Sequence, residues 1–488
     1  MKVKPKKTCV SSSQSPAGPA VLGGSDAEWT NSPAVTQILE RLPDHPTRFV
    51  AQAPGRLDVM GGLTDYTGSL VLNTTTGGHV CVAVQRRTDN DLSIVSVRSP
   101  GAEDVASTVI AVSQLYGPND SLIDAQRGRP LAGEGNGDVA RCIVGALVEI
   151  LRAAGAPRLD GGLSVVVGSK TQEPAGTGWD AALVAAALVA VAGACDVTLD
   201  PLDAAAVCQR VENEWLGIPV GIGDAVCVLL GEPNTLAEVR CEPCALSGSI
   251  RLPDDLVLVG IDCGMRHPEA NLRYSRVRTA AFMGRALIDR IIRHDGSGRL
   301  QWDGHLARVS VTDYVGRFRD RIPTKLKGSE YLERFGETGD PLTRIDPEFV
   351  YKIRSRTEHH IYEHTRACQF VECLSRAIRS GEDRVLEEAG ELMYASHWSY
   401  GQRCGLGSVE TDMLVSMIRG HGADAEIYGA KITGRGCGGS VAVLMRATER
   451  ATAAVDDVIK RYQSKTGRVA TLLRGSLPGA LVSGAQRM

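Results

Sequence analysis

Aromatic residues are scarce in this chain: Phe, Trp and Tyr make up 5% of its 488 residues, while Ala, Gly and Val abound. That balance suits an α/β interior packed mainly by alanine and small aliphatic side chains. A surplus of one charge is also missing. With 23% charged residues and a net charge of −3, nothing favours a nucleic-acid or membrane-surface partner. No apolar run is long enough to span a bilayer. The longest, residues 181–195, is mostly alanine and reads as a buried helix. The lysines at positions 2, 4, 6 and 7 are followed by no apolar core. A secretory signal is therefore not expected, and residues 1–30 read as a disordered tail. The 13 cysteines are scattered and odd in number, and Cys241 and Cys244 have no second pair or histidine cluster to complete a zinc site. They read as reduced thiols of a cytosolic protein.

What is present begins with length. A chain of 488 residues exceeds one ordinary core, so two domains are expected. They are set at 31–248 and 249–488, divided where a polar turn precedes the 256–261 run. Period-two alternation predicts strands at 80–84, 92–97, 163–167, 256–261, 441–444 and 469–473. Helical spacing links Val139, Cys142, Ile143, Ala146 and Ile150, with Gly155 as the stop. It recurs at Cys208, Val211 and Trp215 before Gly217. Strands and helices alternate without a strict βαβ rhythm, which favours an α+β fold over a doubly wound sheet. Residues 285–345 are rich in Arg, Asp and Gly without clear periodicity and read as a long surface excursion.

Three segments carry the chemistry. Residues 53–72, APGRLDVMGGLTDYTGSLVL, set a cation (Arg56) and a carboxylate (Asp65) around two glycine turns, an arrangement able to hold a polyol by its hydroxyls. Residues 173–186, EPAGTGWDAALVAA, pass from a Pro/Gly-rich loop into an alanine helix. That layout offers backbone N–H groups to an anion at a helix N-terminus, and Gly176 and Gly178 let the backbone come close. Asp180 there is either a magnesium ligand, suited to a hard oxygen-seeking cation, or a plain N-cap. Residues 430–440, AKITGRGCGGS, form a glycine-rich loop ahead of a strand, with Arg435 read as facing solvent, the commoner fate of a loop arginine. Asp224 opens an apolar helix after Gly221 and Gly223, and from its own segment reads first as another N-cap. His79, His267 and His397 lack recognisable carboxylate partners, and His359–His360 read as a solvated helix face.

Taken together, the three segments resemble the three signatures of the GHMP small-molecule kinases, and in particular the arabinokinase/galactokinase branch. Residues 260–267, 274–284, 396–400 and 404–407 extend the resemblance across about 48–475. Gly61–Gly62–Leu63 agrees with arabinokinases, where galactokinases carry Glu-His. The resemblance implies a ribosomal S5-like N-terminal domain, a ferredoxin-like C-terminal domain and an ATP- and Mg²⁺-dependent sugar 1-kinase with its site in the cleft between them. It implies Asp224 as the base with Arg56 as its partner, and Asp65, Tyr66, Gly223 and Tyr274 toward the sugar. Tyr274 has an alternative as a buried ring near Phe282. Pro174, Gly176, Thr177, Gly178, Trp179, Asp180, Gly434 and Gly436 would take the nucleotide, with Asp180 on the metal. The expected partners are a small sugar, such as L-arabinose or a galacto-configured aldose, and ATP. Two mismatches stand out: the family's three serines of the second signature are here Asp180, Ala181 and Ala182, and Arg435 interrupts the normally all-glycine start of the third. They open two other readings, a catalytically silent sugar or nucleotide sensor, and a kinase of an unusual sugar or sugar phosphate.

Overall fold

The computed structural model describes residues 28–42, 47–97, 105–133, 137–155, 158–169, 175–296, 298 and 300–488. Most of the expected tail and Pro174 lie outside them.

In chain order the strands are β1 (Phe49–Met60), β2 (Leu70–Arg87), β3 (Asp91–Val97), β4 (Val105–Ala111), β5 (Gly162–Ser169), β6 (Thr235–Cys241), β7 (Cys244–Arg251) and β8 (Leu256–Asp262). They continue as β9 (Leu326–Lys327), β10 (Val350–Tyr351), β11 (Ile427–Ile432), β12 (Ser440–Arg446), β13 (Thr471–Leu473) and β14 (Gln486–Arg487). The larger sheet runs β14-β1-β2-β5-β3-β4, with β6 pairing β2 and β7 pairing β6. Only its β3–β5 pair is parallel. The smaller sheet runs β11-β12-β8-β13, antiparallel throughout. A mixed sheet and an antiparallel sheet, each covered by helices, make the α+β architecture expected from the irregular strand and helix rhythm.

Each of the six runs chosen for period-two alternation forms strand. In β2, Val80, Val82 and Val84 are fully buried against the helices Gly137–Ala153 and Trp179–Ala194. Cys81 and Ala83 between them are equally buried, packed toward the helix Pro33–Leu39 on the opposite face. Each valine so buried contributes roughly 1.5–3 kcal/mol. The helix Trp179–Ala194 is buried on every face except its start, which its alanines permit by letting β1, β2 and neighbouring helices approach closely. The two sheets share one apolar cluster: Leu57, Val59 and Met60 of β1 meet Ala442 and Leu444 of β12 and Phe370 of the helix Ile353–Ser380. That seam brings the end of β1 and the loop between β11 and β12 to the same cleft.

Two expectations need correcting. The 285–345 segment is no surface excursion. It begins inside the long helix Ala270–Asp295, and Leu306, Tyr314, Phe318, Ile322 and Tyr331 bury into a core of their own. Short 3₁₀ and π turns carry Leu306, Tyr314 and Phe318, and such turns have no sustained period to read; Tyr331 lies on the short helix Gly328–Phe335. His359 and His360 are also fully buried, not solvated. The twelve described cysteines are free thiols, and no helix among the described residues is long and apolar enough to cross a membrane.

Candidate active site

The first glycine turn follows β1, and its backbone is fixed from beneath. Asp58, fully buried in β1, accepts from the Gly62 N–H at 2.9 Å and pairs with the equally buried Lys431 of β11 at 2.7 Å. Tyr400 donates to the same carboxylate at 3.2 Å and accepts from the Leu63 N–H at 3.0 Å. Glu363 takes the Gly61 N–H at 3.3 Å and is itself held by Ser396 and Arg366. Burial works against the Glu363 anion, yet the charges of Arg366 and Lys431 keep its carboxyl below the usual range. These buried charges are paired and hydrogen-bonded, the condition under which they are tolerated.

On this platform Asp65 and Tyr66 enter the cleft from the 3₁₀ segment Gly62–Thr67. Asp65 accepts from the Tyr66 N–H at 2.7 Å, and burial first, then the nearby Asp224 charge, pushes its carboxyl up to about 7. It lies so close to Gly221 that a methyl there would sit 2.1 Å from its Cγ. Only glycine fits at that position. The Tyr66 hydroxyl donates to His360 Nε2 at 2.9 Å, because His360 Nδ1 already donates to the Arg356 carbonyl at 2.7 Å. Burial lowers His360 to about 4, so it stays neutral. Arg278 stacks 4.8 Å over the Tyr66 ring, fixed by two 2.8 Å bonds to Asp340 from the 285–345 segment. Tyr274 is buried with its ring 6.0 Å from Tyr66. It is Tyr66 that stacks on Phe282, at 6.1 Å.

Asp224 lies in the first turn of the helix Gly223–Leu230 but caps nothing. Its two oxygens accept from Arg56 Nε and Nη2 at 2.6 and 2.5 Å, a bidentate pair of the strong kind. Burial opposes the Arg56 cation, but Asp224 outweighs it and raises the guanidinium further. Arg56 also donates through Nη1 to the Gly176 carbonyl at 2.6 Å and through its backbone to the Thr177 carbonyl at 2.7 Å. One side chain therefore joins the Asp224 carboxylate to the Gly176–Thr177 loop. Gly223 supplies its carbonyl to Asn73 at 3.1 Å.

The second and third glycine loops face each other. Gly434 has φ +67°, and a Cβ there would lie 2.6 Å from the Gly176 carbonyl oxygen. Ser440 bonds the Ala175 carbonyl at 2.7 Å. Arg56, Gly176, Gly178, Trp179, Asp180, Arg435 and Gly436 line a cavity of about 220 Å³ together with Arg266 and His267. Thr177, which is buried, and Gly434 are not among the residues that line it.

Both N-cap readings fail. Gly178 caps the helix Trp179–Ala194, with no side-chain bond, and Asp180 is ion-paired with Arg435. Arg435 is thus held across the cleft and only partly exposed; its other branch donates to Asn271 at 2.7 Å. His397 does have a carboxylate, Asp412, at 3.2 Å. Sequence reading passed over Glu212, buried beside this cavity. Burial, then the Asp180 charge, keeps its proton on well above the usual range, and its Oε2 has no hydrogen-bond partner among the described residues. Its signal was an acidic residue inside the apolar seam of Cys208, Val211 and Trp215. It also passed over the Asp58–Lys431 pair, where a charge in each of two wholly buried strands was the clue.

Residues 141–232 match the family model of the GHMP kinases N terminal domain, and residues 40–86 match the galactokinase galactose-binding signature. The L-arabinokinase of Arabidopsis thaliana is 31% identical over 481 residues, covering 88% of this chain and 46% of that protein. This chain therefore spans about half the length of that relative. The galactokinase of Mycobacterium bovis is 27% identical over 413 residues, covering 83% of this chain and 91% of its own length. Among solved structures, galactokinase of Lactococcus lactis in complex with galactose superposes with a TM-score of 0.66 at 19% identity, covering 93% of this chain and 98% of that one. That last likeness speaks for the fold. With the paired glycine loops and the Arg56–Asp224 pair, these matches show that the chain carries a GHMP kinases N terminal domain and a galactokinase signature, and that it is similar to L-arabinokinase and to galactokinases.

Proposed function

We propose that this protein is an ATP-dependent sugar kinase that phosphorylates the anomeric C1 hydroxyl of an aldose, L-arabinose or a galacto-configured sugar. The observation that carries the reading is the bidentate Arg56–Asp224 pair, set between the buried Asp65 and the phosphate loop. Asp224 takes the proton of the attacking hydroxyl as the γ-phosphoryl group departs from ATP. Arg56 holds that carboxylate in register and supports negative charge as it develops. Asp65 accepts hydrogen bonds from sugar hydroxyls, and Tyr66, Gly223 and Tyr274 shape that side of the cleft. Gly176, Thr177, Gly178, Trp179, Asp180, Gly434 and Gly436 take the nucleotide. A division near residue 249 fits the same reading, although β14 returns from the far end of the chain to pair with β1.

The donor set suits magnesium. Asp180 lies at the cavity wall, a hard oxygen donor of the type this cation takes. Among the described residues no cluster of three or more ligating side chains occurs, so phosphate oxygens would have to supply part of the shell. When bound, magnesium offsets charge on the transferring phosphoryl group. ADP release from ATP and MgCl₂ across a panel of free aldoses tests the reading. Turnover that depends on one sugar and is lost in Asp224→Asn is the expected result. Silence with every sugar, together with sugar or nucleotide binding, would favour the sensor instead.

A further inference from the structure

The chain departs from its family pattern at two positions of the phosphate site, and the two touch. Asp180 stands where a serine is expected and Arg435 interrupts the glycine run, and their side chains form an ion pair across the cleft. Resting on the kinase reading, we propose that the two departures are one exchange: Arg435 is a phosphate-contacting residue, held by Asp180 in the free protein and turned to the nucleotide phosphates when a divalent cation takes that carboxylate.

Charge balance carries the argument. The groups facing the cavity are already matched in pairs: Arg56 with Asp224, Arg266 with Asp262 at 3.1 Å, and Arg435 with Asp180. An unmatched carboxylate at position 180 would repel a triphosphate, and a serine would not. An arginine at 435 removes that repulsion only while it stays on Asp180, and there its charge is spent. A cation on Asp180 releases the guanidinium, whose planar fork suits a phosphate oxygen pair. Position favours the move. Arg435 sits one residue from both Gly434 and Gly436, lines the same cavity wall as Gly176 and Gly178, and keeps 23% of its side chain exposed. Its second anchor, Asn271 at 2.7 Å, is neutral and would not hold it against an anion. Arg56, by contrast, is 2% exposed and bonded on three sides, so it is not free to follow the phosphates.

Isothermal titration with ADP, with and without MgCl₂, separates the outcomes. A charged hydrogen bond of this kind contributes about tenfold or more in affinity. Arg435→Gly is expected to weaken ADP binding in MgCl₂ by about that factor, with Arg435→Lys in between. Asp180→Ser frees the guanidinium permanently, so metal-free ADP binding should tighten by about fivefold and the gain from MgCl₂ should shrink. ADP affinity of Arg435→Gly within twofold of the parent in MgCl₂ overturns the proposal, as does unchanged metal-free binding in Asp180→Ser. If the parent protein binds no ADP under either condition, the nucleotide site itself is overturned and the kinase reading with it.

Discussion

The cleft has two walls, built in opposite ways. The wall we propose for the sugar, from Arg56 to Thr67, sits on a buried lattice of charges: Asp58 with Lys431, Glu363 with Arg366, and Arg278 with Asp340, the first pair with no exposed surface at all. The phosphate-side wall is two glycine loops joined by main-chain contacts and one half-exposed pair, Arg435 with Asp180. The sugar-side wall follows its family signature closely, whereas the phosphate-side wall departs at the residues that touch. Buried ion pairs are expensive to break one partner at a time, so the sugar wall has little freedom to drift. A half-exposed pair on loops can be exchanged at small cost to the fold, and the chain's departures fall there.

The sharpest way to break this contrast is at the point where the walls meet. Asp224→Asn keeps the shape of the Arg56 partner but cannot take a proton, so turnover should fall by about 10³-fold with sugar and ADP binding retained. Near-normal turnover would remove Asp224 as the base. Next in size is Lys431→Met. It leaves Asp58 buried and uncompensated, and should cost about 3–5 kcal/mol in chemical denaturation. Asp58→Asn with Lys431→Met, which removes both charges, should recover much of that loss. If the single and double variants unfold alike, the pair is not what fixes the sugar loop.

Legibility followed the same divide. Arg56, Asp65 and Asp224 stood out because the resemblance implied roles for them, and the glycines because close approach tolerates nothing else. The strands were legible from alternation even though Cys81 and Ala83 are as buried as Val80 and Val82, since small and branched residues alternate there for two differently crowded faces. Pairings over long sequence separations were not legible. Nothing local to Lys431 names Asp58, and nothing local to Asp180 names Arg435. Asp340 was hidden for the same reason: its segment has no period, and its partner Arg278 lies on a helix that precedes it.

Acidity offers a finer probe of the sugar wall. Asp65 is pushed up to about 7 from an ordinary 3.8, chiefly by burial. Below about pH 4 it is protonated folded or unfolded and costs nothing. Between about pH 4 and 7 only the unfolded chain ionises, so folding loses stability as pH rises, on the order of 4 kcal/mol in all. Asp65→Asn should therefore stabilise the protein at pH 8 relative to the parent and have little effect near pH 4. The same ionisation makes a better acceptor for sugar hydroxyls, so the parent's sugar KM should fall as pH rises toward about 7 and then level. A KM flat across that window, in a variant-independent way, would detach Asp65 from the sugar.

The smallest expected effect is the most discriminating between the walls. Arg435→Gly removes one partner of an ion pair, as Lys431→Met does, but its side chain and that of Asp180 are 23% and 32% exposed. Water can solvate the carboxylate left behind, and pairs of this exposure contribute about 0–1 kcal/mol. Denaturation should then change by less than about 1 kcal/mol, even where ADP affinity falls. A loss as large as that of Lys431→Met would mean that Arg435 serves the fold, and that its contact with Asp180 is structural cement and not a stored charge for the nucleotide.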